Sequence, residues 1–144
     1  MSLLDWLFPR RCVGCGWEGG YFCAECLNKV VLAKESVFQK DSSLENLTSV
    51  FAYRGLIKKA IKRLKYRFVT DISSELVELF LSFIGEQRSF TQYCSKRPIL
   101  TPIPLHKKRL NWRGFNQSEL LGKRIAQNLD LPFVPNLLIR IKET

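Results

Sequence analysis

Five cysteines occur in the 144 residues, and four of them fall inside fifteen positions, in "CVGCGWEGGYFCAEC". Cys12, Cys15, Cys23 and Cys26 form a C-x2-C-x7-C-x2-C array. A Cys-x-x-Cys turn brings two sulfurs to one side of a tight loop, and two such turns supply a tetrahedral set of four thiolates. Gly14 and Gly16 suit turns whose amides point inward at the sulfurs and whose backbone at some positions favours positive φ. Structural Zn²⁺ is the leading expectation. Four-thiolate iron satisfies the same softness and geometry, and disulfides are the third reading, disfavoured in a cytoplasmic chain. Four thiolates leave no open coordination position, so the metal is expected to be structural rather than catalytic. Cys94 stands far from the array, an incidental thiol.

A second stretch, "PIPLHKKRLNWRGFNQSELLGKRIA" (102–126), crowds basic residues around Trp112, Gly114 and Phe115. Asn116 reads as a helix N-cap with Glu119 in the capping-box position. The following helix is expected over 117–129, with Leu120, Leu121, Ile125 and Leu129 inward. A helix N-terminus presents free amides and partial positive charge. Gly114 allows close backbone approach, and Arg binds phosphate bidentately. Lys107, Lys108, Arg109, Arg113, Gly114, Asn116 and Gln117 are therefore the candidate anion-binding set. The plainer reading is a set of surface charges beside a capped helix. His106, the single histidine, reads as a loop residue rather than a base, and Trp112 and Phe115 can either stack a base or pack the loop.

The elements that must position these residues follow from periodicity. "LNKVVLAK" (27–34) suggests a short helix after the cysteines, and polar residues 35–46 a linker. The alternating segment 47–55 reads as a strand. Leu56, Ile57, Ala60, Ile61 and Leu64 recur at helical spacing opposite Lys58, Lys59, Lys62, Arg63 and Lys65, which predicts a basic amphipathic helix. Another helix is expected after Asp71 through "ISSELVELFLSFIGEQ". "RPILTPIP" (97–104) reads as a buried strand ending at a proline turn. The layout is strand, basic loop, helix, with the loop at the carboxyl end of the strand, as in an α/β unit.

Hydrophobic residues make up 46% of the chain, so it can build a core and is not expected to be disordered. Its formal net charge of +10 arises in residues 51–144, and such a field suits polyanions or a phosphorylated small molecule. No apolar run is long enough for a transmembrane helix. The basic residues of "MSLLDWLFPRRC" follow its apolar part, the reverse of a secretory signal, so a cytoplasmic location is expected.

The ordered set "LFPRRCVGCG", "CAEC", "YRGLIKKAIKRLKY", "TPIPLHKKRLNWRGFNQSELLGKRIA" and "LLIRIKET" resembles the ComF family of phosphoribosyltransferase-like proteins over nearly the whole chain. The resemblance implies a four-cysteine zinc ribbon over 1–34, a linker over 35–46, and over 47–144 the N-terminal part of a type I phosphoribosyltransferase-like α/β domain. It implies phosphoribosyl pyrophosphate as ligand, with Mg²⁺, and places Thr101 to Leu105 on the strand and turn leading to the pyrophosphate side. Lys107, Lys108, Arg109 and Arg113 would sit in a mobile basic loop, with Gly114, Asn116 and Gln117 opening the next helix. Competence members of the family imply single-stranded DNA and a helicase-like protein as partners. The adjacent acids and Thr/Gly-rich loop that hold ribose and 5′-phosphate in type I enzymes are absent here, and Arg140, Lys142 and Thr144 match a motif that the family continues. The expectation is an N-terminal portion of such a protein. Its possible roles are a ligand-binding transferase, a non-catalytic DNA- or protein-binding component of DNA uptake, or an inactive fragment with an incomplete sheet.

Overall fold

The computed structural model describes residues 9–33, 47–84 and 94–142. Helices α1 (Ala24–Leu27), α2 (Gly55–Tyr66), α3 (Ile72–Ile84), α4 (Lys107–Arg113) and α5 (Gln117–Asn128) account for its regular structure. Among the described residues β-pairing is limited to isolated bridges, and the segments read as strands each contribute one, at Phe51 and at Leu100. The chain divides into two compact units, Met1–Lys62 and Arg63–Thr144, and the division falls inside α2.

In the first unit the cysteine segment folds on itself. Arg11 bridges antiparallel to Glu18, and their side chains form an exposed 2.8 Å ion pair. The Cys12 amide donates to the Trp17 carbonyl and the Val13 amide to the Tyr21 carbonyl, at 2.8 and 2.9 Å. The helix expected over 27–34 does not form. α1 ends at Leu27, and residues 31–33 are instead extended and pair with 50–52 through Ala33 N–H to Val50 O and Ala52 N–H to Val31 O, both 2.9 Å. The β-branched Val30 and Val31 favour that outcome, since their χ1 freedom suffers in a helix and not in an extended chain. Residues 35–46, read as linker, lie outside the described residues.

In α2, Leu56, Ile57, Ala60 and Leu64 are buried and Lys58, Lys59 and Lys62 exposed, as the spacing predicts, while Ile61, Arg63 and Lys65 are half-buried.

In the second unit α3 buries Ile72, Ser73, Leu76, Val77 and Ile84 along one stripe, and packs on α5, whose Ala126 is fully covered. Each large apolar side chain so buried contributes about 1.5–3 kcal/mol. The buried Ser73 is satisfied by donating to Thr70 O at 2.6 Å. Leu100 pairs in parallel with Phe133: its amide donates to Pro132 O at 2.9 Å, and Val134 N–H donates to Leu100 O at 3.0 Å. The segment between them carries α5, and Gly122 of that helix lies so close that a Cβ would stand 3.1 Å from the Phe133 ring.

Candidate metal centre and anion groove

The sulfurs of Cys12, Cys15, Cys23 and Cys26 all lie within 4.8 Å of one another. Cys15 Sγ and Cys23 Sγ are 3.6 Å apart, far beyond a disulfide bond of about 2.05 Å. Tetrahedral zinc with bonds of about 2.3 Å separates its thiolates by about 3.8 Å. Donor set and spacing therefore fit structural Zn²⁺. The four sulfurs are inequivalent. Burial raises the Cys12 thiol, but the backbone of Cys15, Cys23 and Gly14 and the Cys23 side chain outweigh it and hold it at about 6. The hydrogen bond with the Cys23 side chain, burial and the other cysteines push Cys26 up to about 12. Metal-free, the set holds one ready thiolate and protons that a metal must displace.

Gly14 fixes this geometry sterically. A Cβ there would sit 2.5 Å from Cys26 Sγ and 3.1 Å from Leu56 Cδ1, and the Gly14 carbonyl accepts a 3.2 Å hydrogen bond from Lys59 Nζ of α2. Gly16, at φ +84°, has open space around it. Gly14→Ala should displace Cys26 and lower zinc affinity at least tenfold in a chelator competition. Gly16→Ala should leave affinity near the parent's and cost only the left-handed backbone penalty of about 1–2 kcal/mol.

The basic stretch differs from its reading as a loop. Residues 107–113 form α4, capped at its start by His106, whose side chain accepts from the Lys108 amide, and closed by Gly114 in the left-handed conformation at φ 77°. The His106-to-Gly114 bracket was the available signal; three cations in the first turn, set against the helix dipole, obscured it. Asn116 caps α5 as expected, its Oδ1 accepting from Ser118 N–H at 3.0 Å. Its Nδ2 also donates to Ile103 O at 3.1 Å, which ties the Pro-Ile-Pro turn to the helix start. Asn116→Ala should lower stability by about 1–3 kcal/mol. Asn116→Asp keeps the cap and should lose less, read from denaturant midpoints.

The candidate anion set is split by the structure. Lys107, Lys108 and Arg109 are exposed, and Arg113 is 8% exposed. The Arg113 Nη1 donates to Gln117 Oε1, and its guanidinium lies 5.6 Å from the Tyr66 ring centroid and 5.8 Å from that of Trp112. Trp112 and Phe115 both meet the Phe68 ring edge-on, at 5.6 and 6.3 Å. His106, Lys107 and Leu110 face a groove of about 570 Å³, together with Pro104, Asn116, Glu119 and the later segment carrying Asn136, Ile139 and Arg140. Arg140, which the sequence marks only as part of a match to a family motif, also lines the groove; its distance of twenty-four residues from Asn116 hid that placement.

Residues 3–37 match the family model described as "Double zinc ribbon domain". Three curated proteins are similar. Competence protein F of Haemophilus influenzae is 26% identical over 95% of this chain and 56% of its own length. Competence protein ComFC of Bacillus subtilis is 37% identical over 58% of this chain and 31% of its own. The DNA utilization protein YhgH of Salmonella typhi is 27% identical over 92% and 55%. The chain thus spans about half the length, or less, of the curated relatives it matches. No solved structure matches. Among the described residues no helix is long and apolar enough to cross a membrane. The double zinc ribbon match at the four cysteines, together with the similarity to these competence proteins, supports a ComF family protein.

Proposed function

We propose that the second unit is part of a phosphoribosyltransferase-like α/β domain whose groove takes the pyrophosphate end of a phosphoribosyl pyrophosphate-type ligand. One observation carries the reading. Residues 100 and 133 pair in parallel on either side of α5, and the groove is lined by the segments that directly follow each of them, 104–107 and 135–141. That is the carboxyl end of a crossover unit, where open α/β sheets hold their ligands. Lys107 and Arg140 bring positive charge to the groove, and the amides at the start of α5 lie beside it. Glu119 is the carboxylate in the lining, so Mg²⁺ would be carried largely by the phosphates of the ligand.

In such a transfer pyrophosphate departs from the ribose through an oxocarbenium-like state. The part of Lys107 and Arg140 is to orient the leaving group and stabilise its developing charge. The sequence contains neither adjacent acids nor a Thr-Gly loop, so these residues account for the pyrophosphate side of such a site alone. Isothermal calorimetry tests the reading: Lys107→Ala and Arg140→Ala should each weaken phosphoribosyl pyrophosphate binding about tenfold, the value of one charge-assisted contact. Unchanged affinity in both variants, or no binding by the parent, overturns it.

The names of the relatives, competence and DNA utilization, together with the basic excess of residues 51–144, favour a second reading: a component that handles single-stranded DNA. It needs no turnover.

A further inference from the structure

The rings at the second unit's surface are placed in a way that core packing does not require. Tyr66, Phe68 and Trp112 are 56%, 45% and 61% exposed, yet they gather with Phe115 into one cluster. Tyr66 and Trp112 have centroids 6.4 Å apart, and Phe68 stands edge-on between Trp112 and Phe115. An apolar cluster formed to leave water would hide these faces.

Two further observations point to a ligand. Phe68 holds its ring there at φ +55°, in the left-handed region, where a non-glycine residue costs about 1–2 kcal/mol; such strain is retained where a ring must stand in a given place. Beneath the rings, Arg113 is buried against Tyr66 and Trp112, with its Nε sealed from solvent and without a hydrogen-bond partner. A cation under exposed ring faces, with no ion pair among the described residues, raises the potential of the patch.

The two segments that carry the rings hold charge of one sign. Lys108 and Arg109 precede Trp112 by four and three residues, so they stand on its face of α4. Neither 63–70 nor 107–113 contains an acid. The opposite face of α4, through Lys107 and Leu110, lines the groove, so the two surfaces are distinct.

We infer that Tyr66, Phe68 and Trp112, with Arg113, Lys108, Arg109 and Arg67 around them, form a base-stacking site for single-stranded nucleic acid. The rings take successive bases by their π-faces and the cations follow the phosphates, a combination that tolerates any sequence. A duplex hides those faces and is excluded from the rings. The inference deepens the DNA-handling reading above and is independent of the anion groove.

The test is titration of the full chain with fluorescein-labelled oligo-dT, with the same sequence as duplex, and with thymidine monophosphate. Oligo-dT should bind with an affinity that falls steeply as salt rises, and the duplex and the mononucleotide should bind more weakly. Trp112→Ala should weaken oligo-dT binding about tenfold or more, as stacking losses of about 1–3 kcal/mol per base imply. Phe68→Asn, which the left-handed backbone tolerates, should also weaken binding while leaving the denaturant midpoint at or above the parent's. Both variants should keep the parent's affinity for phosphoribosyl pyrophosphate. Oligo-dT binding that both variants retain in full overturns the site and leaves the DNA-handling reading standing. A parent that does not bind oligo-dT overturns both, and equal affinity for duplex and single strand overturns the stacking mode.

Discussion

Stripping zinc from the protein should abolish amide protection over residues 9–33, and Cys12→Ser should do the same without chelator. The buried apolar side chains described for the first unit are few and mostly small: Cys12, Val13, Val50, Leu56, Ile57 and Ala60. Ordering a residue costs about 1–2 kcal/mol of backbone entropy alone, and this set does not offset that over the segment. Structural zinc contributes about 10–16 kcal/mol in comparable sites at neutral pH. Cys12 is the sulfur most deeply held, 1% exposed, so its loss should exceed that of the exposed Cys15. Cys94→Ser should leave metal content at one equivalent. The pH dependence has a definite sign. Cys23 and Cys26 are held above the ordinary thiol value of 9.0 in the metal-free set, so zinc must expel their protons and its affinity falls as pH falls. Calorimetry in buffers of different ionisation enthalpy reads the released protons directly. Protection over 9–33 that survives complete metal removal would falsify the structural assignment.

The second large effect is a divergence between stability and binding at Arg113. A guanidinium 8% exposed, bonded to a neutral amide and with one nitrogen unpartnered, has lost much of its hydration without gaining a counter-ion. The two rings return part of that, about 0.5–2 kcal/mol for each cation–π contact. Replacing buried charged groups by apolar ones of similar volume is often neutral or stabilising. Arg113→Met should therefore leave the thermal midpoint unchanged or raise it, while lowering oligo-dT affinity about tenfold. A drop of several degrees in the midpoint with binding intact would make Arg113 a structural residue instead.

The features that could be read from residues alone are those with a local cause. The four cysteines announce a thiolate set because two Cys-x-x-Cys turns bring all four sulfurs to one place. Asn116 announces α5 because its side chain must serve the Ser118 amide. The stripes of α2 and α3 follow from burial at helical period. What escaped depends on partners distant in sequence. Residues 27–34 looked helical until the pairing of 31–33 with 50–52 was known, and Leu100 finds its parallel partner thirty-three residues on. α4 was hidden because its cations oppose the dipole, while its caps, His106 and Gly114, are brief signals. Arg113 looked like a surface phosphate ligand, and its burial became visible only once Tyr66 and Trp112 lay across it.

The hydrogen bonds that shape the metal knuckle run from Arg10 to Tyr21 and stay within that short stretch, whereas the side chains that cover Gly14, Leu56 and Lys59, come from α2. Closing so short a loop carries little entropy, and chains emerge from the ribosome amino end first at about 5–20 residues per second. All four sulfurs therefore leave the ribosome some seconds before the whole of α2 does. The nascent chain can take up its metal on its own, and the helix then arrives at a surface already set, its Lys59 finding the Gly14 carbonyl in place. Zinc shortage during synthesis would strike at that interval, leaving a newly made helix with no template to dock on.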